Sequence, residues 1–556
     1  MLTYSFENLG DDALYIYLYK CIRADILSGA LKTGERLPSK RAFARQLNIS
    51  TITIENAYAL LQTEGYIYSE PKRGYFVSDI QAAFVGDPNL QQGVLRARTE
   101  RWDSSAGSKR SGGSASGLGK NGPEENSLDI WSDFDENDMP DGRVTVVERT
   151  AEQENSSKIS RNTFFADFSS NQTRKENFPF SVWTRLIRQV MADRGEHLLR
   201  NAPGGGVYEL RKMIAAHLRE FRDMYVSPEQ IIIGAGTEYL YGILIQLLGF
   251  DSVYAVENPG YSKIGKIYEA HGVACRYIDL DHCGICPDLL EEVGANVIHI
   301  TPSHHFPTGI TMPISRRYEL LGWAARAENR YIIEDDYDSE FRMTGKPIPT
   351  LQSIDRNGQV IYINTFTKTL ASTIRISYMV LPVPLLALYR KKLGFYSCTV
   401  SNFEQYTLAA FIREGHYEKH INRMRNSYRR KRNALLEAIE KSPLADLVTI
   451  SEEDAGLHFL MKVNTERTDE EIIDSAQRHG IRLTSLSYYY HDERMSKDFS
   501  AKNETETKSG TKGGKNEMAA VESRQKQEHT FVINYSNIEE EQIDEAVKRL
   551  YESVVG

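Results

Sequence analysis

Short apolar runs alternate with helix-like segments along most of the chain, and this alternation restricts the fold more than any other feature. From Phe164 onward, runs such as Ile231–Ile233, Val297–Ile300, Tyr331–Ile333 and Val360–Ile363 are separated by longer segments with a helical apolar period. Such alternation is typical of α/β architecture, in which helices cover both faces of a parallel sheet. The sequence therefore predicts an α/β fold with a mainly parallel sheet.

The first 80 residues have a different pattern, which predicts three helices and a hairpin. An apolar residue recurs every four positions in the first segment, at Leu14, Leu18, Ile22 and Ile26. Ser39 and Ser50 are suited to cap two further helices. Two short strands are expected next, at Tyr66–Ser69 and Tyr75–Ser78. This order predicts a winged helix-turn-helix over residues 1–80, in which the third helix enters the major groove of DNA.

A small set of polar side chains on this domain is expected to contact DNA from the second helix, the third helix and the wing: Arg41, Ser50, Thr51, Thr53, Lys72, Arg73 and Gly74. The alternative is a winged helix that makes only protein contacts, because a fold alone does not fix a function. Residues 1–80 contain nine basic and nine acidic side chains. Electrostatic affinity of a monomer for DNA is therefore expected to be modest, and a dimer that binds two half-sites is expected.

Two stretches have the composition of linkers rather than of a folded core. Residues 103–126 are rich in serine and glycine, and residues 132–142 are acidic. We predict a flexible linker over residues 81–163, because so few apolar side chains do not offset the entropy of ordering. A second polar insert is predicted at about residues 493–528, for the same reason.

Composition restricts where the protein works and what it binds. The net charge of −9 argues against a chain that coats nucleic acid along its whole length. No signal peptide is visible, and the longest mostly apolar stretch, Tyr239–Phe250, is too short to cross a bilayer. Five cysteines in 556 residues favour a reducing cytoplasm. Cys283 and Cys286 form a CxxC without a second pair, so no metal site is predicted.

Several polar groups follow apolar strands, at the places where open α/β sheets bind ligands. Lys368 comes just after the strand Val360–Ile363. Thr365, Thr367 and Arg375 are close to it in sequence, and hydroxyls and guanidinium groups of this kind bind phosphate. This segment therefore offers an amine beside a candidate phosphate site.

Two further strands end in groups of the same kind. Asp335 and Tyr337 belong to a burst of carboxylates after Tyr331–Ile333, which is costly unless it meets a cationic partner. A glycine-rich turn opens a helix after another strand, and its candidate phosphate-binding residues are Gly236, Thr237 and Glu238. Tyr261 then offers an aromatic ring that could stack on a planar ligand.

Pyridoxal 5′-phosphate (PLP) has requirements that match this set. It needs an amine for a Schiff base, a carboxylate that keeps the pyridine nitrogen protonated, a donor to the ring hydroxyl and a phosphate site. Lys368, Asp335 and Tyr337 are the candidates for the first three. Taken singly, a lysine at a strand end is usually solvated, and an acidic cluster is more often a solvated loop or a cation site. The order and placement of all the groups together predict a PLP site.

The chain also resembles known families. Residues 12–78 resemble the GntR family of bacterial regulators through GALKTGERLPSKRAFARQLNISTITIENAYALLQTEGYI and a wing of the RGYFV type. From Phe164 to the C-terminus the chain resembles fold type I aminotransferases, and specifically the MocR subgroup of GntR regulators, through VENPGYSKI, TPSHHFPTGITMPISRR, IIEDDYDSEF and VIYINTFTKTLASTIRISYMVLP. The resemblance implies a PLP-binding domain over residues 164–556, with a smaller C-terminal α+β subdomain from about residue 386, and a domain-swapped homodimer.

The resemblance also implies roles for single residues. It implies Lys368 as the Schiff-base lysine, Asp335 as the partner of the pyridine nitrogen and Tyr337 on the ring oxygen. It implies that Tyr261 stacks on the ring, and that the phosphate is held by a set of four residues: Thr237, Thr365, Thr367 and Arg375. Two positions depart from related enzymes, since Phe306 replaces an asparagine before Pro-Thr-Gly and Lys263 stands where some relatives have an arginine. A second carboxylate-binding arginine has no obvious candidate late in the chain.

Three functions remain open at this point. The first is a DNA-binding transcription regulator that senses PLP, or a small amine or amino acid, through the PLP site. The second is an active aminotransferase with a fused DNA-binding domain. The third is a DNA-binding scaffold whose site holds no PLP. The fused winged helix and the long linker favour the first.

Overall fold

The computed structural model describes residues 4, 14–47, 49–70, 73–78, 164–171, 177–342, 348–453, 456–491 and 529–556. The predicted linker and the predicted polar insert lie outside these ranges.

The N-terminal domain is a winged helix. Its helices are α1 (Leu14–Leu27), α2 (Lys40–Leu47) and α3 (Thr51–Thr63), and its strands are β1 (Ile67–Glu70) and β2 (Gly74–Val77). The strands pair antiparallel, as in a wing. Ser50 caps α3, because its hydroxyl accepts a hydrogen bond of 3.0 Å from the backbone N–H of Thr53. The predicted helices and hairpin are confirmed, with the strands displaced by one residue.

The large domain is built on an eight-stranded sheet in the order β4-β11-β10-β9-β8-β5-β6-β7. Its strands, which follow a short strand β3 (Ala166–Asp167), are β4 (Ile231–Ala235), β5 (Val253–Asn258), β6 (Ala274–Asp281), β7 (Gly284–Ile285), β8 (Val297–Ile300), β9 (Tyr331–Asp335), β10 (Val360–Thr365) and β11 (Ile376–Val380). The neighbours from β10 to β6 are parallel, whereas β11 is antiparallel to both of its neighbours and β7 is antiparallel to β6. The predicted mainly parallel sheet is confirmed.

Helices cover both faces of this sheet. Those of the large domain are α4 (Phe180–Arg194), α5 (Tyr208–Arg222), α6 (Thr237–Leu248), α7 (Ser262–Ala270), α8 (Pro287–Glu292), α9 (Ile314–Ala325), α10 (Leu351–Ile354), α11 (Val383–Leu393) and α12 (Asn402–Arg413). On β4, Ile231 and Ile233 pack into one apolar cluster with α5 and α12, whereas Ile232 packs into another with α6 and α11. Among the described residues, no helix combines the length and the apolar character needed to span a membrane.

The C-terminal residues form a smaller α+β unit. It contains α13 (His416–Lys441), β12 (Val448–Ser451), β13 (His458–Val463), α14 (Asp469–Arg478), β14 (Ile481–Arg482), β15 (Thr530–Asn534) and α15 (Ile543–Val555). Strands β12, β13 and β15 form an antiparallel sheet, and β14 pairs with β3. Their apolar side chains share one cluster, which also takes in Phe168 from the start of the domain.

The winged helix packs directly on the large domain at the end of α3. Pro313 precedes α9 and provides no side-chain cap, and the backbone N–H of Ile314 donates instead to the carbonyl of Glu64, at 2.9 Å. The Glu64 side chain is only 2% exposed and accepts a hydrogen bond from the Tyr19 hydroxyl. Apolar residues of both domains belong to one cluster. Helix α3 is therefore anchored to the large domain by its C-terminal end.

Gly65 provides a test of this contact. Its φ is +77°, and a Cβ atom there would lie 2.9 Å from Cβ of Pro313. Gly34 has a similar φ of +73° but nothing within 4 Å. Alanine costs about 1–2 kcal/mol in this backbone conformation at either site, but only Gly65→Ala also pushes against the large domain. We expect Gly65→Ala to accelerate amide exchange at Ile314, whose N–H bonds to α3, and Gly34→Ala to leave it unchanged. Equal exchange in the two variants would contradict the contact.

Candidate functional site

Four sheet strands end at one cavity of about 430 Å³. Strands β5, β8, β9 and β10 are parallel, so their C-terminal ends meet at the same edge of the sheet. The cavity is lined by nine of the residues that the sequence predicts for the cofactor: Thr237, Glu238, Tyr261, Asp335, Tyr337, Thr365, Thr367, Lys368 and Arg375. The tenth, Gly236, immediately precedes α6 at the same end. Segments far apart in sequence are thus brought together around one space.

Asp335 is buried and held from one side only. Its Oδ2 atom accepts a hydrogen bond of 2.5 Å from the hydroxyl of Tyr241, and the Nε2 atom of His299 lies 3.4 Å from the same oxygen. His299 is in turn held by the hydroxyl of Tyr268, 2.8 Å from its Nδ1 atom. The Oδ1 atom of Asp335 is buried without a hydrogen-bond partner. The carboxylate is therefore fixed in orientation, and one of its two oxygens has no hydrogen-bond partner.

The end of the cavity at the N-terminus of α6 also contains cations. Gly236 has φ +93°, a backbone conformation that favours glycine, and the guanidinium group of Arg375 lies beside it. Arg375 pairs with Glu238 at 3.0 Å, and Lys263 pairs with the same carboxylate. The N-terminus of α6 adds unpaired backbone N–H groups and a partial positive charge. This end of the cavity is suited to an anion.

The threonines beside β10 form a small hydroxyl network. The Thr365 hydroxyl donates to that of Thr367 at 2.8 Å, and it accepts from the Ser377 hydroxyl at 2.7 Å. The backbone N–H of Thr367 also donates to Thr365. These bonds hold the loop that leads to Lys368.

Lys368 is half-buried and lines the same cavity. Burial lowers the pKa of its amine below the ordinary value for lysine, and the negative charge of Asp338 partly opposes that effect. A lowered pKa increases the fraction of neutral amine near neutral pH, and the neutral amine is the nucleophile. Tyr261, which is 51% exposed, lies at the mouth with its ring 6.1 Å from that of Phe306.

The structure adds residues that the sequence analysis did not identify. Tyr241, His299 and Tyr268 support Asp335. Further buried polar residues line the cavity, namely Glu257, Asp338 and His458, and His304 and His305 contact two of them, Asp338 and Glu257. Burial raises the pKa of Glu257 to about 8 and lowers that of His305 to about 3. Their 3.4 Å contact therefore joins two neutral groups near pH 7. The partners of these residues depend on strand order, which local sequence does not encode.

Because the pKa of Glu257 is raised, we expect the stability of the protein to depend on pH. The folded pKa of Glu257, about 8, exceeds the ordinary 4.5, so its contribution is complete below pH 4.5 and is lost as the pH rises through 8. Glutamine imitates the protonated acid but does not titrate. We expect Glu257→Gln to reduce the decline in unfolding free energy between pH 5 and pH 9, measured by urea denaturation, by about 1 kcal/mol or more. Parallel pH profiles for the two proteins would contradict the assignment.

The predicted DNA-contacting residues that the structure describes lie on α2, at the start of α3 and on the wing. Ser50 and Thr51 are exposed at the N-terminus of α3, the end opposite to Glu64, and Arg41 is exposed on α2. Arg73 is exposed at the wing and pairs with Glu70. The remaining predicted residues are Thr53, which is half-buried, Gly74, which begins β2, and Lys72, which lies outside the described residues. The contact of α3 with the large domain at its C-terminal end therefore leaves the N-terminal end of α3 exposed.

Cys283 lies in the one cluster of possible metal ligands among the described residues, with Asp281 and His282. Both carboxylate oxygens of Asp281 already bond to Arg316, and one of them also accepts from the backbone N–H of Cys283. The lone CxxC thus lies in a turn whose acidic group is occupied.

Comparisons with known proteins match both domains. Residues 165–499 match the family described as aminotransferase class I and II, and residues 14–77 match the bacterial regulatory proteins of the gntR family. YdeL, an uncharacterised HTH-type transcriptional regulator of Bacillus subtilis, is 36% identical over 506 residues, which cover 90% of this chain and 96% of YdeL. The probable rhizopine catabolism regulatory protein MocR of Rhizobium meliloti is 29% identical and covers 86% of this chain and 88% of its own length.

A solved structure supports the fold of the large domain. The multiple substrate aminotransferase of Thermococcus profundus superposes with a TM-score of 0.57 at 21% identity, and covers 74% of this chain and 95% of its own. At this identity the likeness shows the fold alone. Together with the family matches and the YdeL likeness over both domains, it confirms the resemblance found in the sequence. The chain belongs to the MocR subgroup of GntR-type transcriptional regulators, in which a winged helix-turn-helix precedes an aminotransferase class I and II domain.

Proposed function

We propose that this chain binds DNA through its winged helix and PLP in the cavity of its large domain, and that it regulates transcription in response to an amino compound that enters the cavity. One observation carries the proposal: the Lys368 amine and an unpartnered, buried oxygen of Asp335 line the same cavity. The family match makes PLP the expected cofactor, since this aminotransferase family depends on PLP.

The residues of the cavity fit PLP. Buried polar atoms in folded proteins almost always have a partner, and a protonated pyridine nitrogen is a donor that would satisfy the Oδ1 atom of Asp335. Lys368 would hold the cofactor covalently, Tyr337 would lie at the ring hydroxyl and Tyr261 would lie against the ring. When bound, PLP supplies a carbonyl carbon that captures amines and a ring that withdraws electrons.

The phosphate would occupy the anion-binding end. The backbone at Gly236 and the N-terminus of α6 at Thr237 would donate to it, with Arg375 and the hydroxyls of Thr365 and Thr367 around it. Glu238 would act differently, because its carboxylate repels phosphate but holds Arg375 and Lys263 in place.

The contact between the two domains supports communication from the cavity to DNA. Asp335 follows Glu334 on β9, and Glu334 lies 3.7 Å from the buried Arg317 of α9. The first N–H of α9 donates to the backbone carbonyl of Glu64, the residue that follows α3. A ligand that binds better to one arrangement of these groups would bias the position of α3, by no more than its difference in affinity for the two arrangements.

Footprinting tests the regulator. We expect the full-length protein to protect the promoter beside its own gene, with half-sites bound by two copies, and expect PLP or an added amine to change the protection several-fold. Gly65→Ala should reduce that change, whereas Gly34→Ala should retain it. Absence of any protected site, or protection insensitive to PLP and to every amine tested, would contradict a ligand-responsive regulator.

An aminotransferase activity is the second candidate, because Lys368 and Asp335 are both present in the cavity. It differs from the first in the fate of the amine. Repeated release of keto acid from amino acids, beyond one equivalent per chain, would favour the enzyme, whereas binding without turnover would favour the sensor.

A further inference from the structure

Asp338 is a buried carboxylate in the same cavity as Lys368. The proposed PLP site gives Asp338 no role. Asp338 follows β9 by three residues, is 3% exposed and lines the same cavity as Lys368. The Oδ2 atom of Asp335 is held by Tyr241 and His299, whereas the negative charge of Asp338 raises the pKa of the Lys368 amine against the larger, lowering effect of burial. A carboxylate in a poorly hydrated cavity stabilises a neighbouring positive charge strongly.

His304 fixes this carboxylate. The Nδ1 atom of His304 lies 2.8 Å from Oδ2 of Asp338, and the Tyr337 hydroxyl lies 3.3 Å from the same Nδ1 atom. Tyr337 and Asp338 both line the cavity, so His304 connects two of its polar groups.

His304 is itself held by the smaller C-terminal unit. Its ring centroid lies 4.7 Å from that of His458, on β13. Gly456 packs against the ring, since a Cβ atom there would lie 1.8 Å from Cε1 of His304. This closeness requires glycine, so Gly456 helps to hold His304 against Asp338.

The other titratable groups around the cavity are neutral near pH 7 or paired. Burial keeps His458 and His305 uncharged, since it holds the pKa of His458 well below the usual value and that of His305 at about 3. Glu257, with a pKa of about 8, is mainly protonated. At the anion-binding end, two cations share one carboxylate: Arg375, Lys263 and Glu238. Asp335 contacts the supporting Tyr241 and His299. Among the described residues, Asp338 is therefore the carboxylate whose negative charge raises the pKa of Lys368.

We propose that Asp338, oriented by His304, is a positioning residue that favours the protonated form of the Lys368 nitrogen, both before the cofactor binds and when the nitrogen is bonded to the cofactor. The second half of this inference rests on the proposed PLP site, and the first half does not. A positive nitrogen at that bond withdraws electrons from the attached cofactor carbon and makes it receptive to an amine. The pair would thus keep the sensor responsive over a wider pH range.

The cofactor-free chain tests the first half. We propose acylation of Lys368 by an amine-selective reagent at a series of pH values, read from the mass of the peptide that contains it. Asp338→Asn is expected to move the midpoint down by roughly one to three pH units, the range typical of a close opposite charge. His304→Gln should lower the midpoint as well, but by less. This variant provides the test if Asp338→Asn does not fold. Glu437→Gln removes an exposed carboxylate of α13, which pairs with Lys441, and should leave the midpoint near its original value.

The PLP-loaded protein tests the second half. The visible band of the lysine-bound cofactor gives way to near-ultraviolet absorption when the nitrogen loses its proton, and the midpoint of this change is expected to fall in Asp338→Asn. A midpoint unchanged by Asp338→Asn in both experiments would overturn the inference. If the unchanged protein shows no visible band while the acylation midpoint moves as expected, the PLP site is refuted and the role of Asp338 toward the lysine stands.

Discussion

Lys368→Ala is expected to abolish the visible absorption of the protein purified from PLP-replete cells. Lys368 lines the cavity that also contains the buried carboxylate of Asp335 and the anion-binding end. Without it no covalent bond to the cofactor forms, although the anion-binding end remains. Borohydride reduction followed by peptide mass analysis should place the cofactor on Lys368 in the unchanged protein and on no peptide in the variant.

Lys263→Ala is the matched control for this experiment. Lys263 lines the same cavity, but its amine is paired with Glu238 and is about half exposed. We expect this variant to keep the visible band, with weaker retention of the cofactor. A band that survives in Lys368→Ala, or that vanishes equally in Lys263→Ala, would contradict the assignment. A colourless unchanged protein would favour a DNA-binding scaffold without PLP.

The positions of Lys368 and Asp335 were predictable because each follows a clear apolar strand. Parallel strands end at the same edge of a sheet, so polar groups placed directly after them converge whatever the order of the strands. The same reasoning identified the turn at Gly236, where a strand gives way to a helix. Local sequence was sufficient for these groups, and the α/β fold followed from the same alternation.

The partners of these groups were not predictable in the same way. His299 reaches Asp335 because β8 is the neighbour of β9, and Tyr241 reaches it from a helix that packs across the sheet. The contact of His304 with Gly456 joins the large domain to the smaller unit. Strand order and domain packing depend on the whole chain, and no short pattern encodes them.

The contact between Glu64 and Ile314 illustrates the same limit across domains. The two residues are separated by a predicted linker, and Glu64 looks like an ordinary polar residue near a helix end. Only the packed structure shows it almost fully buried, with its carbonyl capping another helix. Similarly, the acidic Glu55 of α3 is paired with Lys40 at 2.7 Å, which moderates its repulsion of DNA.

Asp335→Asn is expected to weaken PLP binding by roughly ten- to a hundredfold, the worth of a hydrogen bond to a charged group. Asparagine preserves the shape of the side chain and can keep contacts with Tyr241 and His299, but it lacks the charge that holds a proton on the pyridine nitrogen. Equilibrium dialysis of the cofactor against the full-length protein measures the loss. The visible band should decline in parallel, because less cofactor remains bound to Lys368.

Tyr241→Phe separates the charge of Asp335 from its orientation. It removes the 2.5 Å hydrogen bond to Oδ2 but leaves the carboxylate and the free Oδ1 atom. We therefore expect a loss of affinity in the same direction and smaller than that of Asp335→Asn, about two- to tenfold for a neutral donor. Affinity unaffected by Asp335→Asn would mean that the pyridine nitrogen lies elsewhere, and the buried oxygen of Asp335 would then need a different donor.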